Sequence, residues 1–308
     1  MENISAVLSI ILPILVTLSL GFYARQKSFI QDSVIDGIKK LVMHFMLPAV
    51  LLNAFYKNDF SSTLVVIALC MFGCCIAGCF FGKLLSPFFK SSGQMLPFLT
   101  SGFEAGMMGY GLYAMLYTTS ETYNFALVDL GQVVFVFTVY MALLNKQKNV
   151  SGAETFKSMI TSPVFLSIAI GVVLSATKLG PMLFHSAFGP VIDSILGYIS
   201  APTGVLMLFV VGYQLILNKA SLKAAFLTTA IRSLLMLGLG AFCIYILQLF
   251  IQMEPPLFWA VILMFTLPPP FVLPIFSDNE NQSGYVATTL SLSTLLSILF
   301  FVVITILR

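Results

Sequence analysis

The chain has 308 residues, of which 59% are hydrophobic and 9% are charged, and its formal net charge is +3. A mean hydropathy of +1.01 means that the polar residues are too few to cover a water-soluble globule of this size. No cluster of Lys and Arg indicates a nucleic-acid partner. The composition therefore predicts an all-α integral membrane protein that is surrounded by a lipid bilayer.

Apolar runs of about 18 to 25 residues, the length that crosses a bilayer, predict ten membrane spans. The first run follows Glu2 and no basic residue, so we expect a retained helix rather than a cleaved signal peptide. The ten predicted spans lie near residues 4–24, 35–56, 62–89, 95–117, 122–144, 159–177, 188–217, 222–251, 257–277 and 284–307.

A polar connection at residues 145–157 divides the chain into two halves of five spans, residues 1–144 and 158–308. The halves look related, because each has a proline in its second span. Pro48 and Pro202 lie 154 residues apart, which is close to the offset between the two spans with central glycines and prolines described below. An odd number of spans in each repeat makes the second half enter the membrane upside down. We therefore predict two inverted five-helix repeats, with a helical bundle from each half rocking against the other.

The distribution of Lys and Arg predicts the orientation. Loops after spans one, three, five and seven hold eleven of these residues, and loops after spans two, four, six and eight hold two. Cytoplasmic loops carry the excess of basic residues, so the first set and the linker are predicted to be cytoplasmic. Both termini then lie outside a cell (plasma) membrane that the chain crosses several times.

Two spans carry backbone-bending residues at their centres, at corresponding places in the two halves, and we predict that these residues break the helices. They are Gly106, Gly109 and Gly111 in the first span, and Pro268, Pro269 and Pro270 in the second. A helix that is broken at membrane depth leaves backbone N–H and C=O groups without hydrogen-bond partners. Such a break persists only where it lines a cavity or a ligand site. Paired breaks of this kind indicate the binding site of a secondary transporter. The substrate-binding residues predicted around the breaks are Glu104, Gly106, Met107, Gly109, Tyr110, Gly111, Asn53, Gln132, Pro268, Pro269 and Pro270.

Three ionisable residues inside the spans are candidates for ion coupling: Glu104, Asp129 and Arg232. Glu104 is either a proton carrier or cation ligand, or a structural acid that closes a hydrogen-bond network. Asp129 and Gln132 are three residues apart and share one helix face. Arg232 either binds a substrate carboxylate or forms a structural ion pair with Asp129 or Glu104.

A half-helix that begins inside the membrane offers N–H groups to an anion, so a small organic anion is the expected substrate.

Other classes of site find little support in the sequence. No nucleotide-binding or hydrolase motif is present, so we expect neither an enzyme nor a cofactor. The five cysteines lie in apolar runs without His or carboxylate neighbours, which predicts no metal site and no disulfide scaffold.

Several stretches resemble the auxin efflux carrier family, which includes bacterial malate permeases and belongs with the bile acid carriers to one superfamily. The stretch LPAVLLNAFY, from Leu47 to Tyr56, is similar to the family's LPA-type segment. ATTLSLSTLLSILFFVVI, from Ala287 to Ile304, is similar to its Ser/Thr-rich last helix. The family motif N-T-G-F-x-G-x-P corresponds to the segment Glu104 to Gly111, where glutamate replaces the asparagine and glycine the proline.

The resemblance implies ten spans with spans four and nine crossing, and transport of a malate-like or auxin-like acid by alternating access. In the family the asparagine contributes to carboxylate recognition, whereas an ionised Glu104 would repel a carboxylate. Coupling to H⁺ or Na⁺ and a homodimeric assembly stay open. The alternatives are a sodium-coupled symporter of the bile acid type and a ligand-sensing membrane receptor that does not transport.

Overall fold

A computed structural model of the chain describes residues 2–58, 62–117, 121–147, 152–277 and 279–308. Within these ranges every regular element is a helix, and the described residues contain no strand. Part of the predicted linker 145–157, residues 148–151, lies outside the described residues.

The first half contains helices α1 to α8, three of them extended by a π-helical turn (Val42–Met46, Ala105–Gly109 or Val136–Tyr140). The helices are α1 Glu2–Gln26, α2 Asp32–Leu41, α3 Leu47–Tyr56, α4 Ser62–Leu85, α5 Leu96–Leu99, α6 Tyr110–Leu116, α7 Thr122–Phe135 and α8 Met141–Gln147. A 3₁₀ helix, Ser86–Met95, joins α4 to α5.

The second half contains helices α9 to α16, with 3₁₀ turns at Lys219–Ser221 and Leu273–Phe276. The helices are α9 Gly152–Ile160, α10 Pro163–Ala176, α11 Leu179–Phe184, α12 Gly189–Ser200, α13 Thr203–Tyr213, α14 Leu222–Phe250, α15 Pro255–Thr266 and α16 Glu280–Leu307.

Seven helical segments among the described residues are long and apolar enough to cross a membrane: 7–26, 32–56, 63–89, 122–146, 189–213, 219–250 and 280–307. They match predicted spans one, two, three, five, seven, eight and ten. The other three predicted spans are not continuous helices. Spans four and nine are broken, and span six is interrupted at residues 161–162, which leaves the shorter apolar helix Pro163–Ala176.

The outer surface of the helices carries many large apolar side chains. On α14 alone, Phe226 is 68% exposed, Leu234 is 74% exposed and Phe250 is 69% exposed. Apolar surface on this scale is not tolerated in water, but it is the ordinary surface of a membrane-embedded helix. The fold is therefore that of an all-α membrane protein.

Some helix contacts join the two halves and others lie within one half. Across the halves, α1 packs on α13, α3 packs on α10 and α4 packs on α14. Within the first half α4 packs on α7, and within the second half α14 packs on α16. Glycines permit the closest of these contacts: a Cβ atom on Gly21 of α1 or on Gly212 of α13 would overlap backbone atoms of the other helix.

Both broken spans are interrupted near their centres. The first is non-helical at residues 100–104, between α5 and the π-helical turn Ala105–Gly109. The prediction that Gly106, Gly109 and Gly111 form this break was wrong, because all three lie in the helical segment that follows it. The second is non-helical at residues 267–272, where the prolines were predicted to break it.

Candidate functional site

The two breaks contact each other directly and form one crossover, defined here as residues 100–104 and 267–272. The Glu104 N–H donates to the Pro268 carbonyl at 2.9 Å. In return, the Phe271 N–H donates to Glu104 Oε2 at 2.6 Å. Backbone groups that a break leaves without helical partners in one half are thus hydrogen-bonded by the other half.

Glu104 caps two N–H groups with one buried carboxyl group. Its Oε1 accepts from the Met107 N–H at 3.1 Å, at the start of the helical segment 105–116, and its Oε2 accepts from Phe271. The side chain is 8% exposed. Both oxygens are engaged by N–H donors, an arrangement that suits a carboxylate, which accepts only. This geometry corresponds to the structural alternative for Glu104, an acid that closes a hydrogen-bond network.

Arg232 caps the opposite kind of backbone group at the same crossover. From α14 its Nη1 donates to the Leu99 carbonyl at 2.8 Å, and its Nη2 donates to the carbonyls of Gly102 at 2.7 Å and Leu267 at 3.1 Å. It makes no ion pair with Glu104 or Asp129, so the predicted structural ion pair was wrong. The breaks leave these three carbonyl oxygens without helical donors, and the guanidinium supplies the missing hydrogen bonds.

The prolines of the second break reduce the number of backbone groups that need partners. Pro268, Pro269 and Pro270 have no N–H, so only carbonyl oxygens are stranded there. Glu104 and Arg232 bind two of the neighbouring carbonyls, and the Ser297 hydroxyl of α16 donates to the Thr266 carbonyl. The first N–H after the prolines belongs to Phe271, which Glu104 binds.

Asp129 and Gln132 of α7 form a second buried polar cluster beside the first break. Asp129 accepts from the Tyr110 hydroxyl at 3.0 Å and from Gln132 Nε2 at 3.3 Å. Gln132 Nε2 also donates to the Phe103 carbonyl at 2.9 Å, whereas Gln132 Oε1 is buried without a partner. Asp129 is 3% exposed and no cationic side chain pairs with it among the described residues.

The glycines of span four serve close packing. A Cβ atom on Gly109 would lie 2.5 Å from Phe125 Cζ and 2.8 Å from Leu267 Cδ1. Gly111 faces Gly204 of α13, where a Cβ atom would lie 3.4 Å from the Gly204 Cα. Gly106 is less crowded, and Met107 is half-buried.

A cavity of about 350 Å³, here the Asn53 cavity, lies between α1, α3, α6, α12 and α13. Three predicted site residues line it: Asn53, Tyr110 and Gly111. Asn53 Oδ1 and the Thr203 hydroxyl oxygen, also in its wall, are buried without a hydrogen-bond partner. Buried polar atoms of this kind are bound by a ligand or by ordered water in a folded protein.

A second cavity of about 200 Å³, here the Arg25 cavity, lies between the ends of α1 and α13, the second break and α16. Arg25, Gln214 and Phe271 are in its wall. The structure places these predicted site residues at or beside the crossover: Glu104, Gln132, Pro268, Pro269, Pro270, Asp129 and Arg232. Tyr110 and Gly111, which follow the first break, line the Asn53 cavity, and Phe271 of the second break lines the Arg25 cavity.

A family model described as "Membrane transport protein" matches residues 6–305, nearly the whole chain. The chain belongs to this family. It is the family of the auxin efflux carriers that the sequence resembles, so its members are transporters in a membrane rather than enzymes. Comparison with individual curated proteins gives no significant match.

In this membrane transport protein the cysteines are closer together than the sequence suggested. The sulfur atoms of Cys70, Cys74 and Cys243 lie within 4.8 Å of one another, and the first and last are 3.3 Å apart. All five cysteines are free thiols. The sequence could not show this cluster, because Cys243 is on α14 and the others are on α4.

Sequence reasoning also missed several residues that complete the site of this transport protein. Ser297, Thr203, Gln214 and Arg25 were not singled out, although the Ser/Thr-rich pattern of the last helix pointed towards Ser297. Arg25 was counted only as a basic loop residue. Gln214, at the end of α13, carries no motif that marks it.

Proposed function

We propose that this protein is a secondary transporter that moves a small organic anion across the cell membrane by alternating access. The observation that carries the proposal is the crossover, where two broken helices from the two halves bind each other through Glu104. Broken helices whose backbone groups are bonded internally occur in membranes at substrate sites. Membership in the membrane transport protein family supports the same class of function.

The architecture proposed for this carrier is two inverted five-helix repeats, with the two broken spans as helices four and nine. The packing supports it, because the four most extensive helix contacts form two matching pairs: α1 on α13 matches α10 on α3, and α4 on α7 matches α14 on α16. This packing favours moving bodies that mix the halves, rather than one bundle from each half. One body contains α1 to α3 with α10 to α13, and the other contains α4 to α7 and α14 to α16.

The proposed pathway runs between these two bodies. The Asn53 cavity and the Arg25 cavity both lie along this interface, and Phe271 of the crossover lines the second of them. Arg25 and Lys27 belong to the Lys-rich set of loops, so the positive-inside rule puts the Arg25 cavity on the cytoplasmic side and the termini outside. Substrate would then pass from one cavity to the other as the crossover moves.

For the coupling ion we propose the cluster of Asp129 and Gln132. A buried carboxylate without a cation and a buried amide oxygen without a donor together suit either a bound proton or a Na⁺ ion. Glu104 and Arg232, the other two coupling candidates, have their polar atoms committed to the crossover backbone and would act by holding its geometry.

The test is counterflow in liposomes that contain the purified protein. Liposomes loaded with an unlabelled organic acid should take up the labelled acid faster than protein-free liposomes. Sodium dependence of this uptake would identify the symporter alternative of the bile acid type. Binding of an acid without any exchange would contradict the proposal and favour a ligand-sensing receptor.

A further inference from the structure

The Arg25 cavity contains a cation whose position is fixed by the protein. Arg25 Nη1 donates to the Tyr213 carbonyl at 3.1 Å, and the guanidinium lies 5.4 Å from the centre of the Tyr213 ring. The Tyr213 hydroxyl is itself held, 2.8 Å from Asp32 Oδ1. Arg25 makes no ion pair within the described part of the chain, so its other N–H groups are available to a ligand.

Gln214, a residue of the same wall, has an acceptor atom that lacks a donor. Gln214 Oε1 is buried and has no hydrogen-bond partner. Its backbone N–H is already bonded to the Val210 carbonyl, so the helix end does not use the side chain. A ligand with an O–H or N–H group would supply the missing donor.

The remaining wall limits the charge and the size of a ligand. Arg25 is the one charged side chain in this wall among the described residues, and besides Gln214 the other polar side chains are the hydroxyl groups of Ser283, Ser291 and Thr294. A second carboxylate would have no cationic partner, and an ammonium group would have no anionic one. A volume of about 200 Å³ is also below the range of drug-sized pockets, about 300–1,000 Å³, and suits a small metabolite.

We propose that the Arg25 cavity is a substrate subsite for a small hydroxylated monocarboxylate, with Arg25 binding the carboxylate and Gln214 accepting from the hydroxyl group. This inference rests on the proposed function and adds to it the substrate class and two binding residues. Neither residue is in the broken spans, where the sequence placed recognition.

The experiment measures binding of four probes to purified protein: lactate, propionate, alanine and malate. Propionate lacks the hydroxyl of lactate, alanine replaces it with an ammonium group, and malate adds a second carboxylate. Lactate should bind about tenfold more tightly than propionate, since one hydrogen bond to a buried acceptor is gained. Lactate should also bind more tightly than alanine and malate.

Two variants and a matched control assign the effect to residues. Gln214→Met should remove the preference for lactate over propionate while leaving propionate binding unchanged. Arg25→Gln should weaken both acids by about tenfold or more, since a charge-assisted hydrogen bond is lost. Lys27→Gln removes a neighbouring charge outside the cavity wall and should change neither affinity.

The inference is overturned if wild-type protein binds lactate and propionate equally, if Gln214→Met keeps the preference, or if malate or alanine binds best. Gln214→Met decides the matter even if Arg25→Gln fails to fold. Counterflow separates this inference from the proposed function. If Arg25→Gln does not affect acid exchange, the proposed transport function is retained and the subsite proposal is contradicted. If wild-type protein exchanges no acid, the proposed transport function itself is contradicted.

Discussion

Glu104 and Arg232 bind opposite backbone groups of the same crossover. Glu104 accepts from the N–H groups of Met107 and Phe271, and Arg232 donates to the carbonyls of Leu99, Gly102 and Leu267. They do not pair with each other. An acid and a base in the interior of a membrane protein are expected to form an ion pair, but here each compensates the groups that two broken helices expose.

Removal of the Arg232 guanidinium should destabilise the protein. Arg232→Met would leave three buried carbonyl oxygens without a donor, at a cost of about 1–3 kcal/mol for each unsatisfied group. Thermal unfolding of the purified variant should therefore begin well below that of wild type. Arg232→Lys should be intermediate, because one ammonium group cannot reach all three carbonyls in the same geometry. Lys219→Met, which removes an exposed cation, is the control, and equal unfolding temperatures for it and Arg232→Met would contradict the assignment.

Glu104→Gln should not behave as a neutral copy of glutamate. The amide has one acceptor oxygen, so its NH₂ group would face the N–H of either Met107 or Phe271. We expect a loss of about 1–3 kcal/mol in the free energy of unfolding. Gradient-driven accumulation of substrate should weaken only in proportion to the loss of folded protein. Normal stability together with complete loss of accumulation would instead assign the coupling role to Glu104.

The sequence predicted two breaks, and the family resemblance implied that they cross, but neither indicated which side chains bind them. Glycines and prolines at matching positions indicated two breaks, and the prolines lie in one of them because they remove N–H groups locally. The first break begins at Thr100, before Gly106, Gly109 and Gly111, and Arg232 stabilises its carbonyls from more than a hundred residues away along the chain. No local pattern encodes such a contact. The same is true of the Arg25 cavity, whose wall comes from four separate elements.

Asp129→Asn should separate substrate exchange from ion coupling. Asparagine can still accept from the Tyr110 hydroxyl, so the local structure should persist, but it carries no charge to bind a proton or Na⁺. Counterflow should continue, while accumulation driven by a proton or sodium gradient should be lost. Glu121→Gln, an acid removed from the start of the same helix, should keep both activities. Unchanged accumulation by Asp129→Asn would move the coupling site elsewhere.

Gly111→Leu should block transport with little loss of stability. Gly111 of α6 meets Gly204 of α13 where the two proposed bodies touch, and a Cβ atom on Gly111 would lie in contact, 3.4 Å from the Gly204 Cα. Gly111→Ala should be tolerated, whereas a leucine side chain would push the bodies apart and fill part of the Asn53 cavity. Counterflow should fall by about tenfold or more, an expected effect of about 1.4 kcal/mol or more. Gly238→Leu, at a position with no atom within 4 Å of the added Cβ, should transport normally, and equal transport by both variants would rule out movement at the Gly111 contact.

In the proposed mechanism the crossover separates two cavities that open to opposite sides of the membrane in turn. Ala114 lines the Asn53 cavity and Ala287 lines the Arg25 cavity, so Ala114→Cys and Ala287→Cys report on them separately. Each is made in a protein in which Cys70, the least buried native cysteine, is replaced by alanine.

The measurement is labelling of each variant by a membrane-impermeant thiol reagent, applied from one side at a time. We expect Ala114→Cys to react only from outside and Ala287→Cys only from the cytoplasmic side. An acid identified by counterflow should change the two rates in opposite directions. Labelling of both cysteines from the same side, or two rates that rise and fall together, would contradict alternating access through this crossover.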